Sequence, residues 1–443
     1  MENVDQSPSS SLRAQTRSLP NDRDTSLCSG DGGSQSAMTM KSGKVVRFGE
    51  VVLPASKSES NRALMIAAFG GFEPDFQNLS DSNDTCIFKE VLQGLPPIDS
   101  SSPTCQCRND IGDSPCFINI VDCGTAARFL TTYLACHEGD WLLTGTERMH
   151  QRPMAPLVEA LCSLGADIQY VEINGCLPLR IKGKPLAGGK VVINMTQSSQ
   201  FASSLLLAAP MWPKGLEMEL VGELSSLPYL EMTLNLMCHF SAQAARHDRM
   251  VKVHPQPYQK QPFTVESDWT AASYWYEMAA FSEECEIKIR SLSLSKGRPN
   301  LQGDTVIVDW MRQLGVGTFV EDGALVLRKI PYEKRPLHFD FSQHPDLYPT
   351  MAATCYGLGI NATFDGLDNL ALKESDRVEA MQTELAKLGS KPFHFCTHND
   401  HRVAMALAPL SMLVGDVSFD HPEVVKKSYP SFWEEVSFLP IKR

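Results

Sequence analysis

Pro54-Ala-Ser-Lys-Ser-Glu-Ser-Asn-Arg-Ala-Leu-Met-Ile-Ala-Ala-Phe-Gly70 decides how this chain is to be read. An apolar run, Val51-Val-Leu53, ends at Pro54 as a strand would, a polar turn follows, and a helix-forming run begins near Ser60. Ser58 or Ser60 is placed to cap that helix by accepting a backbone N–H that its first turn leaves unpaired. Ser58 and Arg62 stand four apart and share a face, with Lys57 at the same end. A lysine, a hydroxyl and an arginine around a helix N-terminus suit an oxyanion, because the free N–H groups and the helix dipole add to the cations. A capped surface helix with ordinary charges explains the stretch equally well.

The strand-then-helix pattern continues from Lys44 to the C-terminus, which indicates an α/β protein. Helix Val158–Leu164 ends at Gly165, Val306–Leu314 at Gly315 and Val378–Leu388 at Gly389, each followed by a strand-like run. Weaker versions occur at Leu95-Pro96 and Phe240-Ser241. The marks at 96, 165, 241, 315 and 389 are 69, 76, 74 and 74 residues apart. A period near 74 is too long for a solenoid repeat and suits a compact unit of two helices and several strands.

The chain's 443 residues allow two or three domains, and 43% hydrophobic with 21% charged residues is ordinary for a globular protein. A net charge of −12 argues against a general nucleic-acid surface, so any anionic ligand must be held by a local basic cluster. The 13 cysteines are scattered, without a Cys-x-x-Cys pair, which favours reduced thiols in a cytoplasmic protein over a disulfide framework or a zinc site. No apolar run approaches the roughly 20 residues of a membrane helix. Residues 1–42 are rich in Ser, Gly and Asp and are expected to be a disordered extension; their acidic residues argue against a transit peptide, and Met38 or Met40 is an alternative start. The phosphate-binding loop, the dinucleotide fingerprint and the His-Glu-x-x-His zinc motif are all missing, and no metal or organic cofactor is indicated.

Five further stretches could carry chemistry. Asp122-Cys-Gly-Thr-Ala-Ala-Arg128 follows the strand Phe117–Val121; Gly124 permits close approach to the backbone and Thr125 can cap the helix Ala126–Ala135. Arg148-Met-His-Gln-Arg-Pro153 sets two arginines before a helix, although surface salt bridges explain either arginine alone. Gln197-Ser-Ser-Gln-Phe201 precedes the helix Ala202–Ala209, and capping accounts for one serine only. Lys373-Glu-Ser-Asp-Arg377 is expected to open a helix, with a solvated charged face as the alternative. Asn399-Asp-His-Arg402 is expected to cap another through Asn399, and Asp346 is a lone carboxylate at a helix start.

Together these stretches resemble the 5-enolpyruvylshikimate-3-phosphate (EPSP) synthase family, in order, over about 390 residues from Lys44 onward. Ser56-Lys-Ser-Glu-Ser-Asn-Arg62, Cys123-Gly-Thr-Ala126, Arg148–Pro153, Ser198-Ser-Gln200, Asp268–Tyr274, Gln302-Gly-Asp304, Lys373–Arg377 and Asn399–Arg402 carry the resemblance. It implies an inside-out α/β barrel of two domains, each of three βαβαββ units, the upper over 57–266 and the lower over 44–56 with 267–443. It also implies that the 5-hydroxyl of shikimate 3-phosphate attacks phosphoenolpyruvate, giving a tetrahedral intermediate that loses phosphate. Lys57, Gly124, Arg152, Arg377, Arg402 and Lys427 match phosphoenolpyruvate positions. Ser58, Arg62, Ser198, Ser199, Gln200, Ser226, Asp346, Asn369 and Lys373 match shikimate-3-phosphate positions. Asp346 matches the group that orients or deprotonates the 5-hydroxyl, Glu374 the acid and base at the methylene, and Lys57 an assisting proton donor. A monomer that closes over its substrates is expected.

The chain departs from the family in places. Asp122 stands where the enterobacterial type has Asn, and a carboxylate there calls for a cation, for which Arg128 is the candidate. Cys123 replaces an alanine, Leu370-Ala371 replaces Trp-Arg, and 93–115 differs in content. The sister family acting on UDP-N-acetylglucosamine carries a loop cysteine before its Arg-Pro; this chain has Thr146-Glu-Arg148 there. A phosphometabolite-binding protein without catalysis would not need both Asp346 and Glu374.

Overall fold

The computed structural model describes residues 45–95, 114–294, 301–389 and 391–437, with short strand pieces at Leu12–Arg13, Thr39–Met40 and Ile441–Lys442. The expectation of disorder for 1–42, apart from the two pieces, and the divergent stretch within 96–113 lie outside the described residues.

One βαβαββ pattern is repeated three times. Cys116–Asn119 pairs in parallel with Gly139–Thr144, which pairs antiparallel with Leu179–Gly183, itself antiparallel to Asp167–Tyr170. Helices α3 (Gly124–Cys136) and α4 (Ala155–Ser163) fill the connections. Gly189–Asn194, Leu216–Val221, Met250–Val253 and Ala244–His247 repeat that order around α5 (Ser199–Ala208) and α6 (Leu227–His239). Val45–Val51, Cys285–Ile289, Ala324–Lys329 and Val316–Glu321 repeat it again around α7 (Trp269–Phe281) and α8 (Ile307–Arg312). Two further parallel pairs, Leu337–Asp340 with Ala362–Asp365 and Phe393–Phe395 with Val417–Phe419, enclose α9 (Tyr348–Leu358) and α11 (His401–Leu407). The edges of these pairs also take Leu12–Arg13 and Thr39–Met40.

The period near 74 residues comes from the point where each helix turns into its closing hairpin. Gly165 (φ 97°), Ser241 (φ 70°) and Gly315 (φ 85°) all take left-handed backbone there. Glycine tolerates that conformation without strain, and Ser241 adopts it in the mark that reads weakly.

The helices lie inside. All 13 residues of α7 and all seven of α11 are buried, whereas Gly189–Asn194 and Met250–Val253 alternate buried and exposed. A helix without a polar face belongs in a core, and a sheet with one wet face belongs outside it. Two separate apolar cores result, one built from residues between Leu64 and Tyr258, the other from Val51, Leu53 and residues from Trp269 to Val436.

Between Val45–Val51 and α7, within its third repeat, the chain leaves to build the other core and returns. The two crossings are stitched together: Ser56 N–H donates to Glu266 O (2.8 Å), Asp268 N–H to Pro54 O (2.9 Å), and Ala55 bridges Ser267. Because Ala55 is held in that bridge, helix α1 (Lys57–Gly70) starts earlier than its sequence suggests. Its cap is Ser56, not Ser58 or Ser60. Three other caps also differ from expectation. Cys123 Sγ, not Thr125, caps α3; Asp400, not Asn399, caps α11; and Asp376 caps α10 (Arg377–Ala386), leaving Lys373 and Glu374 outside the helix.

Candidate active site

Helix starts gather at one cavity of about 80 Å³ between the two cores. Lys57 and Ser58 open α1, Gly124 and Thr125 open α3, Ser198 to Gln200 open α5, Ser226 and Tyr229 begin α6, and His401 and Arg402 begin α11. Each start presents unpaired N–H groups and the positive end of a dipole. Seven cations (Lys57, Arg62, Arg128, Arg152, Lys373, Arg377, Arg402) line the cavity against three carboxylates (Asp84, Asp346, Glu374). In a chain of net charge −12 this is the local excess that anion binding needs.

Every residue matched to a ligand position lines this cavity except Lys427, which reaches its edge through Asp84 (Nζ to Oδ1, 2.9 Å). Capping separates the two serines of Ser198-Ser199: Ser198 Oγ accepts from Gln200 N–H (3.2 Å), while Ser199 is left to the cavity. Arg62 is fixed by Thr233 Oγ1 (2.7 Å) and Ser58 O (2.9 Å); burial lowers its pKa to about 10. Asn369 is buried with its Oδ1 unpartnered among the described residues.

Arg377 organises the carboxylates. Its Nη1 donates to Asp346 (2.8 Å), Nη2 to Glu374 (3.0 Å) and Nε to Asp400 (2.8 Å), with 1% of the side chain exposed. Asp346 also accepts from Arg402 Nη2 (2.8 Å) and Tyr229 OH (3.1 Å). Burial alone would raise the Asp346 carboxyl, but Arg402, Lys373 and Arg377 outweigh it and hold it well below the usual carboxylate range. Burial likewise opposes ionisation of Glu374, and Arg152 (3.6 Å), Arg377 and Lys427 overcome it. Arg148 spans from the other core to the loop carrying Glu374, donating to Lys373 O (2.7 Å) and Glu374 O (3.1 Å).

Gly124 has a specific steric role. A Cβ there would lie 2.6 Å from Arg152 Nη1 and 3.0 Å from Arg128 Nη1, so the bare backbone is what lets two guanidinium groups converge. Arg128 donates to Gly124 O and Pro153 O (both 3.1 Å) and is not the partner of Asp122. Asp122 pairs instead with Lys427 Nζ (2.8 Å). Four lining residues with ionisable side chains escaped the site reading: Asp84, Arg128, Tyr229 and His401. Arg128 and His401 fall inside motifs already singled out; Asp84 and Tyr229 sit in helix starts whose sequence gives no such signal. His401 is buried, and burial together with Lys57 and Arg402 keeps its ring neutral. Among the described residues no cluster of His, Cys, Asp and Glu is placed to hold a metal.

A cleft with this excess of cations, set between two cores of an α/β fold, is suited to binding anionic small molecules. Comparison with known proteins makes the class particular. The family model for EPSP synthase (3-phosphoshikimate 1-carboxyvinyltransferase) matches residues 43–436. Curated 3-phosphoshikimate 1-carboxyvinyltransferases of Bacteroides fragilis and Syntrophobacter fumaroxidans are 40% and 33% identical over 408 and 413 residues. Each alignment covers 87% of this chain, and 94% and 95% of the respective relative. The solved EPSP synthase of Acinetobacter baumannii shares the fold, with a TM-score of 0.69 at 19% identity, covering 91% of this chain and 98% of that one. The chain belongs to the EPSP synthase family.

Proposed function

We propose that the cavity carries out the family's reaction with the residues that line it. The protein transfers the enolpyruvyl group of phosphoenolpyruvate to the 5-hydroxyl of shikimate 3-phosphate and releases phosphate, a step of aromatic amino acid biosynthesis. Ser58, Arg62, Ser198, Ser199, Gln200, Ser226, Asn369 and Lys373 hold shikimate 3-phosphate; Lys57, Arg152, Arg377, Arg402 and Lys427 hold phosphoenolpyruvate beside the space left at Gly124. The single observation that supports this most is the convergence of seven cations and the Asp346–Glu374 pair on one cavity. The protein acts as a cytoplasmic monomer; its ten described cysteines are all thiols.

Asp346, held ionised by Arg377 and Arg402, orients the 5-hydroxyl and accepts its proton as oxygen attacks C2 of phosphoenolpyruvate. Glu374 delivers a proton to C3, which completes the tetrahedral intermediate. It takes a proton back from C3 as the C2–O bond to phosphate breaks, with Lys57 assisting at the departing bridging oxygen. Arg152, Arg377 and Lys427 hold Glu374 ionised. Arrival of substrate anions on those cations raises its proton affinity, so the acid is created by binding. Because the ligating residues come from both cores, substrate binding draws the two together over the cleft.

The deciding experiment is a phosphate-release assay. Release is expected only when phosphoenolpyruvate and shikimate 3-phosphate are both present. Release with UDP-N-acetylglucosamine instead would move the chain to the sister activity.

A further inference from the structure

Lys427 is held by three protein oxygens. Its ammonium has three N–H donors and no acceptor. It donates to Asp84 Oδ1 (2.9 Å) and the Asp122 carbonyl (2.9 Å), and it forms an ion pair with Asp122 Oδ2 (2.8 Å). The second oxygen of Asp84 accepts from Lys57 Nζ (2.9 Å). Lys57, Asp84, Lys427 and Asp122 therefore form a chain of alternating charge whose sum is zero.

The two carboxylates on Lys427 are not equivalent. The Asp84 side chain is 3% exposed and shared between two lysines, so stripping it from Lys427 would strand a buried charge. The Asp122 side chain is 46% exposed, and its carboxylate can turn into water at little cost. Its backbone stays in place, because Thr146 N–H holds Val121 O (2.7 Å) and Cys123 N–H holds Ile120 O (3.0 Å). The Asp122 carbonyl thus remains on Lys427 while the side chain departs.

We propose that Asp122 is a resident counter-anion on Lys427, displaced when phosphoenolpyruvate binds, and that it sets the apparent affinity for that substrate. This rests on Lys427 being a phosphoenolpyruvate ligand. An asparagine at 122 would leave the four-group chain with one net positive charge, and its neutral amide oxygen competes more weakly than a carboxylate for Lys427. With aspartate, binding is an exchange of one anion for another, and only an anion that also engages Arg152 and its neighbours wins the exchange.

The test is steady-state kinetics on four proteins: wild type, Asp122→Asn, Lys427→Met and the double variant. Asp122→Asn is expected to lower the KM for phosphoenolpyruvate about tenfold, with the KM for shikimate 3-phosphate moving less than twofold. Inorganic phosphate, competing with phosphoenolpyruvate, should gain affinity in parallel. Lys427→Met should raise the phosphoenolpyruvate KM and abolish the effect of Asp122→Asn in the double variant. An unchanged phosphoenolpyruvate KM in Lys427→Met would overturn the assignment of Lys427 itself. A raised KM there, with Asp122→Asn failing to lower it, would overturn the counter-anion alone. Asp122→Ser serves as a second neutral variant, and a gain confined to Asn would count against charge as the cause.

Discussion

Arg377 shows at single-residue scale why this site needs its neighbours. One guanidinium carries Asp346, Glu374 and Asp400, so the two carboxylates proposed to react are positioned by a cation they share. Replacing Glu374 by Gln keeps an acceptor for Arg377 and removes the proton-transfer function. Turnover is expected to fall by roughly 10²–10⁴-fold with KM values within a few-fold of wild type. Arg62→Ala is expected to do the opposite, raising the KM for shikimate 3-phosphate with a smaller loss of kcat; the reverse pattern would exchange the two roles. Most of the cavity's lining was legible only through the resemblance to the family, because capping or surface charge explains each cationic motif taken alone. Asp84 was not, since an acidic residue beside an anion site makes sense only once Lys57 and Lys427 are seen on either side of it. The partner of Asp122 was misread for a similar reason: Arg128 is near in sequence, Lys427 is 305 residues away, and nothing local records the second pairing.

Elements were easier to recognise than their ends. The alternation of strands and helices corresponds to real elements, because burial fixes what each segment becomes; the marks at 165, 241 and 315 fall where a helix enters a closing hairpin, whereas the mark at 389 precedes Phe393–Phe395, which pairs in parallel with Val417–Phe419, and residue 96 lies outside the described residues. The starts of helices are fixed by which side chain reaches the free N–H groups, a choice settled by tertiary contacts such as the Ala55–Ser267 bridge. Asp400 illustrates how one residue joins element and site. Its Oδ1 accepts from Arg402 N–H (2.9 Å) as the cap of α11, and its Oδ2 accepts from Arg377 Nε (2.8 Å). Asp400→Asn retains a cap and removes one counter-charge from a buried guanidinium, so it should cost roughly 3 kcal/mol of stability. Asp400→Ala loses the cap as well and should cost about 1 kcal/mol more. Urea unfolding of the two variants separates the contributions; equal losses would mean that the cap contributes nothing.

At the scale of the molecule, two cores are joined by a double crossing, and the buried carboxyl of Glu59 sits on it. Its Oε2 accepts from Glu266 N–H (3.1 Å) and its Oε1 from Gln302 Nε2 (2.8 Å). Gln302 in turn donates to Ser267 O (2.8 Å) and accepts from Trp269 N–H (2.9 Å), so the crossing, α1 and α7 are tied through one acid–amide pair. Burial raises the Glu59 pKa from 4.5 to about 8, and the neighbouring charges of Glu266 and Asp268 push the same way. The sign of the effect on stability follows from proton counting. Below pH 4.5 both folded and unfolded chains hold this proton. Between 4.5 and about 8 the unfolded chain has lost it and the folded chain has kept it, so the group's contribution to stability falls as pH rises. Above about 8 both are ionised and the contribution is level. Glu59→Gln has no proton to lose, so its stability relative to wild type should climb between pH 5 and pH 8, by an amount on the order of a few kcal/mol, and then stay constant. Chemical unfolding of both proteins at pH 5.5, 7 and 8.5 measures that difference. A difference independent of pH would mean that Glu59 is already ionised at the crossing, held so by the two donors that face it.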